Sequence, residues 1–204
     1  MSKYLLKTVA KDGTAHRRFQ WPLTAGVVVV APDWDPKTCC GGGLHGLLNG
    51  AGNGSLLNWS DDAVWIVAEI DGPMVDLGRK IKCQQARTIV VGTRAEATAW
   101  LMGQGFLGVC GAVVSAGDGG SAITGDEGSS TAGDGGSAIA GVGGSSTAGV
   151  GGSATAGVDG IISIRYWDKN RYRLCVGYIG EDGLLPGVAY RVERGAFVRV
   201  GDEA

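Results

Sequence analysis

Cys39, Cys40 and His45 are the residues of this chain whose types and spacing could support covalent chemistry. A thiol beside an imidazole base can act as a nucleophile. Catalytic cysteine–histidine pairs, however, usually meet through the fold and not along the sequence. Adjacent cysteines are also poor zinc ligands without two further groups, and His16 is the only other histidine. The pattern favours a structural role for His45 at a tight turn, and it predicts neither a metal site nor a cofactor.

Acidic residues recur within a glycine-rich segment, at Asp118, Asp126, Glu127 and Asp134. Calcium-binding β-rolls also have Gly- and Asp-rich turns, but their repeat is a nonapeptide with Asp in nearly every copy. Here valine replaces the acid in the later repeats. We therefore expect solvated turn residues and no calcium site.

The remaining composition argues against several partner classes. The formal net charge is -2, and no basic stripe accompanies the six tryptophans and five tyrosines, so we expect no nucleic-acid partner. No apolar run approaches the roughly 18 residues of a membrane span, so no membrane partner is expected. Five cysteines without a CxxC pair favour a reduced, cytoplasmic setting.

An eight-residue repeat organises the chain from about Gly117 to Gly160. The octads read GDGGSAIT, GDEGSSTA, GDGGSAIA, GVGGSSTA and GVGGSATA. Gly recurs at positions one and four and Ser at position five, and degenerate octads occupy 109–116 and 157–164. A fixed short period predicts a β-solenoid and not a flexible linker. Positions six and seven alternate in type, which indicates two octads per coil and about three coils.

Side-chain alternation predicts which octad positions face water. Positions five and seven share one face, and the small residues at six and eight share the other. We place the small residues inside, with Ile inside as the alternative. Positions five and seven then form a predicted binding surface on two sides of the solenoid. The threonine flank is Ser129, Thr131, Ser145 and Thr147. The isoleucine flank is Ser121, Ile123, Ser137, Ile139, Ser153 and Thr155. Glycines at positions one and four suit backbone with φ > 0 or crowded surroundings.

The flanking segments predict two further modules. Residues 1–102 read as a small α+β module, with a buried strand at 27–30, strands at 63–70 and 88–91, and a Gly-rich connection at 33–58. Thr93 and Glu96 form a capping-box pattern before a helix. Residues 165–204 read as a β-meander that caps the solenoid of residues 103–164. The predicted fold is mainly β.

The octads, of the form G-x-x-G-S-x-T-A with a 16-residue period, resemble the repeats of bacterial ice nucleation proteins. The resemblance covers residues 109–164 and implies stacked coils with Thr-x-Thr rows facing water. Here the rows read Ser-x-Ile and Ser-x-Thr. An ice-binding surface is therefore one alternative function, on a small template of about three coils.

Three motifs outside and around the repeats are similar to a phage and prophage family without an assigned activity. They are Phe19-Gln20-Trp21, the segment Cys40–His45 that ends in Gly-Leu-His, and the tail GYIGEDGLLPGVAYRV, in which Gly180–Arg191 carries the likeness. The resemblance implies architecture and context, not chemistry. The step His45-Gly46 also resembles the nicotinamide-binding step of ADP-ribosyltransferase folds, whose further residues would be Trp65 and a catalytic Glu69.

The leading hypothesis is a non-enzymatic accessory protein of phage type in the cytoplasm of a bacterial host. Its solenoid would serve as a scaffold or contact surface toward a host protein. Exposed Ile123 and Ile139 in a flat row favour homo-oligomers through the solenoid face. An ADP-ribosyltransferase-like enzyme and an ice-binding surface are the alternatives.

Overall fold

Short apolar segments bounded by glycine, proline and aspartate form strands in most of this protein, as such segments usually do. The computed structural model describes residues 2–201. Within them it has 17 strands and one α-helix. The chain forms two compact units, with the boundary between Val109 and Cys110. The prediction of a mainly β fold with a three-coil solenoid is confirmed.

The N-terminal unit consists of one antiparallel sheet and one helix. Its elements are β1 (Tyr4–Val9), β2 (Val28–Val30), β3 (Leu44–Leu48), β4 (Val64–Ile70), β5 (Met74–Asp76), β6 (Ile81–Cys83), β7 (Gln85–Gly92) and α1 (Arg94–Gly103). The strands lie in the order β2-β7-β4-β1-β3-β6-β5. The central strands bury Leu5, Ile66 and Ala68 in a common core. Helix α1 begins at the predicted capping box of Thr93 and Glu96.

Two expectations for this unit are wrong. The strand at 27–30 is buried on one face only: β2 lies at the sheet edge, Val29 packs in the core, and Val28 and Val30 are 40% and 51% exposed. The connection at 33–58 contains strand β3, which places His45 on a strand and not at a tight turn. Gly43 and Gly50, both with positive φ, bound this strand on either side and let the chain turn sharply at its ends.

The solenoid is built from two stacks of short parallel strands. One stack contains β8 (Val113–Ala116), β10 (Ser129–Ala132) and β12 (Ser145–Ala148), and the other contains β9 (Ser121–Ile123), β11 (Ser137–Ile139) and β13 (Ser153–Thr155). Each residue lies beside the residue 16 positions further along, as in the pair Thr131 and Thr147. Two octads therefore make one coil, as the alternation of octad types predicts.

Small side chains fill the inside of the coils. Ala122, Ser130 and Ala138, all at octad position six, are fully buried. The two interior hydroxyls of Ser130 and Ser146 lie 3.1 Å apart and share a hydrogen bond. Ile123 is not among the buried core residues, so the placement of small residues inside is correct and the alternative with Ile inside is not.

Of the two expected reasons for glycine at positions one and four, the structure shows crowded surroundings and not positive φ. Positive φ occurs at octad position three, for example 66° at Gly119 and 55° at Glu127, and not at positions one and four. From Gly133 onward the position-one glycines are crowded by the preceding coil, since a Cβ on Gly141 would lie 2.6 Å from the backbone nitrogen of Asp126. Position-four glycines are crowded as well, since a Cβ on Gly136 would lie 2.8 Å from the carbonyl oxygen of Gly120 and 2.9 Å from the methyl group of Ala132.

The tail closes the C-terminal end of the solenoid. It comprises β14 (Ile161–Trp167), β15 (Tyr172–Tyr178), β16 (Tyr190–Glu193) and β17 (Ala196–Arg199). Strand β14 continues the first stack beside β12, β15 turns back beside β14, and β16 pairs with β13. Ile162, Ile164 and Tyr190 pack with Ala154 in one core. The larger apolar side chains of the tail thus cover the small interior of the last coil.

Candidate functional site

The threonine flank is a regular outward array of hydroxyl groups. Thr131 on β10 lies beside Thr147 on β12 and Ser115 on β8. In the neighbouring column Ser129 lies beside Ser145. Parallel strands are about 4.8 Å apart and side chains two residues apart along a strand are about 6.6 Å apart, so the hydroxyls form a grid with these two repeats. Thr131 is exposed, and Thr147, Ser129 and Ser145 are partly buried.

The isoleucine flank has the same geometry on the other stack. One column is Ser121, Ser137 and Ser153, and the other is Ile123, Ile139 and Thr155. Ser121 is exposed and the other five side chains are partly buried. The two isoleucines, expected to be exposed, are thus half-covered by their neighbours in the column.

The ten flank side chains present hydroxyl and methyl groups and no acid, base or thiol. Their hydroxyls have no acidic or basic side chain within the flanks to activate them, and what they present is hydrogen-bonding and apolar groups for binding. Each hydroxyl can donate one hydrogen bond and accept others from water. Threonine side chains are stiff about χ1, so Thr131 and Thr147 hold their hydroxyls at defined positions. Such a grid can fix water molecules in a repeating arrangement.

The aspartates of the turns connect successive coils, which corrects the expectation of merely solvated residues. A carboxylate oxygen of Asp118 accepts a hydrogen bond of 2.9 Å from the backbone N–H of Asp134. Asp134 accepts one of 2.9 Å from Val150, and Asp126 one of 3.0 Å from Val142. These bonds hold the pKa of Asp134 below its ordinary value, chiefly through Val150 and then Arg165. Among residues 2–201, no group of three or more His, Cys, Asp or Glu side chains is placed to hold a metal ion.

The N-terminal unit contains a cavity of about 800 Å³ that is rich in positive charge. We call it the basic cavity; its charged lining includes Lys7, Arg17, Arg18 and Lys80, with His45 beside them and Asp33 as a carboxylate. The Nδ1 atom of His45 is buried and has no hydrogen-bond partner. Burial lowers the pKa of His45, and the charges of Lys80, Lys7 and Lys82 lower it further, while Asp33 opposes them. His45 is therefore not the satisfied histidine that the sequence favours.

Lys82 holds the chain segment 39–41, part of which lines the basic cavity. Its side chain is fully buried, and Nζ donates hydrogen bonds to the carbonyl oxygens of Cys39 and Gly41, at 3.0 and 2.9 Å. Nζ also lies 6.0 Å from the centre of the Trp34 ring. These contacts satisfy the buried ammonium and hold the chain that leads into β3. The sequence offers no signal for this role, because Lys82 alternates with apolar residues as an exposed residue would.

The residues expected to complete an ADP-ribosyltransferase-like site lie elsewhere. Trp65 packs edge-to-face against Trp59, with ring centres 5.3 Å apart. Glu69 lies near the opposite end of β4, where it is beside Tyr4 of β1 in the strand register. Neither residue lines the basic cavity, so the structure does not bring His45 and Glu69 together. Of the two adjacent cysteines, Cys40 does line the cavity, and both are exposed.

The outward face of β15 is a further surface that the sequence reasoning did not single out. Tyr172, Leu174, Val176 and Tyr178 are all 45–59% exposed. Strand β15 lies at the edge of its sheet. The signal was present in the sequence as an apolar residue at every second position of this segment.

No helix among residues 2–201 is long and apolar enough to span a bilayer.

Comparison with known proteins yields similarity to ice nucleation proteins. Over 101 residues, 48% of this chain, the sequence is 32% identical to the ice nucleation protein InaU of Pantoea ananas. It is also 32% identical over 101 residues to an ice nucleation protein of Enterobacter agglomerans. The chain covers 10% of the first relative and 8% of the second. No family model and no solved structure matches. About half of this chain is thus similar to ice nucleation proteins, and its octads form a β-solenoid.

Proposed function

We propose that the solenoid is an ice-binding surface and that the threonine flank is the side that contacts ice. The observation that carries the proposal is the register of β10 and β12, which sets Thr131 beside Thr147 and Ser129 beside Ser145 without a shift. A flat, repeating grid of stiff hydroxyl and methyl groups can hold water in an ordered layer, and an ordered layer can join a growing crystal. The similarity to ice nucleation proteins supports this use of the octads.

The size of the surface sets the expected activity. The three coils of this chain give the grid only a few repeats. The matched segment makes up only 10% of the ice nucleation protein of Pantoea ananas. A small template adsorbs to existing ice more readily than it starts a crystal. We therefore expect thermal hysteresis or inhibited recrystallisation, and no nucleation close to the melting point.

The test compares two double variants in the full chain. Thr131→Lys with Thr147→Lys puts two long charged side chains into the grid. Ile123→Lys with Ile139→Lys makes the equivalent change on the isoleucine flank. We expect the first variant to lose thermal hysteresis and the second to keep it, with both retaining the wild-type circular dichroism. No hysteresis in the wild type, or equal loss in both variants, would contradict the proposal.

A second candidate function, contact with another protein, is favoured by the outward face of β15. An edge strand offers unpaired backbone groups to a further strand. Antiparallel pairing of β15 with a second copy, centred on Cys175, would place Leu174 opposite Val176 and Tyr172 opposite Tyr178. Both chains would then bury apolar side chains on the same face, as a two-fold interface requires.

This candidate is tested by the molar mass in solution. Val176→Lys should convert a dimer into a monomer in light scattering coupled to size exclusion, because it puts a charge into the apolar row. Ile123→Lys, on the other stack, is the control and should leave the mass unchanged. A wild-type monomer at high protein concentration would exclude this second role.

A further inference from the structure

The basic cavity lies where the sheet of the N-terminal unit comes apart. Strand β3 pairs with β1 only at Leu47 and Leu48. Its other end, from Leu44 to Gly46, pairs with β6 instead. Lys7 of β1 and His45 of β3 both line the space near this divergence. The cavity is therefore a consequence of strand pairing and not a gap between loosely packed loops.

The charges in the cavity wall are not balanced. Lys7, Arg17, Arg18 and Lys80 are cations, and Asp33 is the carboxylate that faces them. None of the ion pairs within residues 2–201 involves Lys7 or Lys80. Lys7 is partly buried, and burial followed by the charge of Lys80 lowers its pKa. Like charges held together in a partly desolvated space are stabilised by an anion between them.

Two local features show that the wall is arranged at a cost in stability. The buried Nδ1 of His45 has no partner, and an unsatisfied buried polar atom costs about 1–3 kcal/mol. Arg17 and Arg18 are consecutive residues in the left-handed region, with φ of 57° and 61°. Non-glycine residues in this region are strained, and such strain concentrates at binding sites. An anion in the cavity would shield Lys7 and Lys80 from one another and favour the imidazolium form of His45.

The rest of the lining is apolar. Phe19, Trp21, Leu47 and Leu57 border the cavity, and the volume of about 800 Å³ is that of a site for a small organic molecule. Inorganic ions alone would leave this apolar part in contact with water. The lining therefore selects a molecule with a charged end and an apolar or aromatic body.

We propose that the basic cavity binds a small organic anion, with its charged group against His45, Lys7 and Lys80 and its apolar body against Phe19 and Trp21. Carboxylates and phosphate esters share the required chemistry, since both present several acceptor oxygens on one end. This site lies in the N-terminal unit and does not depend on the ice-binding proposal.

Proton uptake by His45 would accompany binding. The charged groups that face His45 are Lys7, Lys80, Lys82 and Asp33, and the cavity wall adds His16, Arg17 and Arg18. An anion beside His45 favours the imidazolium form and so raises its pKa. By linkage the anion binds more tightly as the pH falls through the pKa of the bound state. Anion binding is therefore expected to raise the pKa of His45, which is lowered in the free protein.

The experiment follows His45 by NMR in the full chain, with phenyl phosphate, benzoate and benzyl alcohol as probes. The chain has two histidines, so His16→Gln identifies the His45 signal. We expect one or both anions to shift this signal saturably and to raise the pKa of His45, and the uncharged alcohol to do neither. A response to only one of the two anions identifies the charged group that the site prefers.

Matched lysine variants separate the cavity from general charge. Lys7→Met and Lys80→Met should each weaken binding about tenfold, the effect of one charge-assisted hydrogen bond. Lys11→Met removes an exposed lysine outside the cavity and should not change the affinity. A thermal unfolding midpoint equal to that of the wild type shows that each of the three variants is folded. Absence of a shift with both anions, an equal response to benzyl alcohol, or equal weakening by Lys11→Met would overturn the proposal.

Discussion

A carboxylate oxygen of Asp118 accepts a hydrogen bond of 2.9 Å from the backbone N–H of Asp134, one coil further along the solenoid. Asp134 makes the same bond to Val150 in the next coil. On the opposite turns Asp126 bonds to Val142, after which the series stops because valine has no acceptor. The second octad position is therefore a connection between coils, and its amino acid decides whether the connection continues.

Val142→Asp should stabilise the solenoid, because it extends the series to the N–H of Val158. One hydrogen bond of this kind contributes about 1 kcal/mol. The measurement is the free energy of unfolding in urea. Val158→Asp is the control, since the chain reverses in β15 and places no turn N–H one coil later. A gain in both variants would show that added negative charge, and not the inter-coil bond, is responsible.

Acid should weaken the solenoid through Asp134. Its folded-state pKa lies below the ordinary value because the ionised form accepts the Val150 N–H and faces Arg165. A lowered pKa means that the stabilisation is complete above the unfolded value of about 3.9 and is lost as the pH falls through the folded value. Asp134→Asn should therefore lose stability at pH 7 and show a smaller further loss at low pH than the wild type. Glu181→Gln, an exposed change in the same unit, should follow the wild-type profile in urea unfolding at each pH.

Gly141→Ala should destabilise the solenoid by about 1–3 kcal/mol, because the new Cβ meets backbone atoms of the preceding coil. The matched variant is Gly117→Ala, also at octad position one, where nothing lies within 4 Å of the added carbon. Its effect should be within about 0.5 kcal/mol, as at an ordinary surface position. Similar losses in both variants would mean that the glycine is needed for the turn itself and not for the approach of the coils.

Lys82→Met should cost about 2 kcal/mol of N-terminal unit stability, because it leaves the carbonyl oxygens of Cys39 and Gly41 without their donor. The apolar replacement keeps most of the side-chain volume, so the loss reports the hydrogen bonds. Lys37→Met is the control, since Lys37 makes an exposed ion pair that contributes little. An unchanged unfolding midpoint for Lys82→Met would show that the two carbonyls find other partners.

Local sequence patterns were sufficient for most of the secondary structure. The octads predict the solenoid and its three coils, and the capping box predicts the start of α1 at Thr93. Local patterns failed for β3, because a strand rich in glycine looks like a loop until its neighbours in the sheet are known. They failed for β2 for a related reason: four valines indicate burial, but only the strand order shows that β2 lies at an edge.

Of the candidate sites, the threonine flank could be predicted from the sequence, and the hydrogen bonds between coils and the basic cavity could not. A strict period and alternating side chains determine that Thr131 and Thr147 face outward in one column, since each coil repeats the geometry of the last. The sequence alone could not show that the Asp118 carboxylate reaches the Asp134 N–H, because that bond requires the coil spacing. Nor could it bring Lys7, His45 and Lys80 to one cavity, since they come from distant segments whose meeting depends on where β3 leaves β1 for β6. In a solenoid, residues 16 positions apart lie side by side, so the period of the sequence predicts the contacts between coils. In the N-terminal sheet, the strands that pair are far apart in the sequence, and their pairing is decided only when the whole sheet forms.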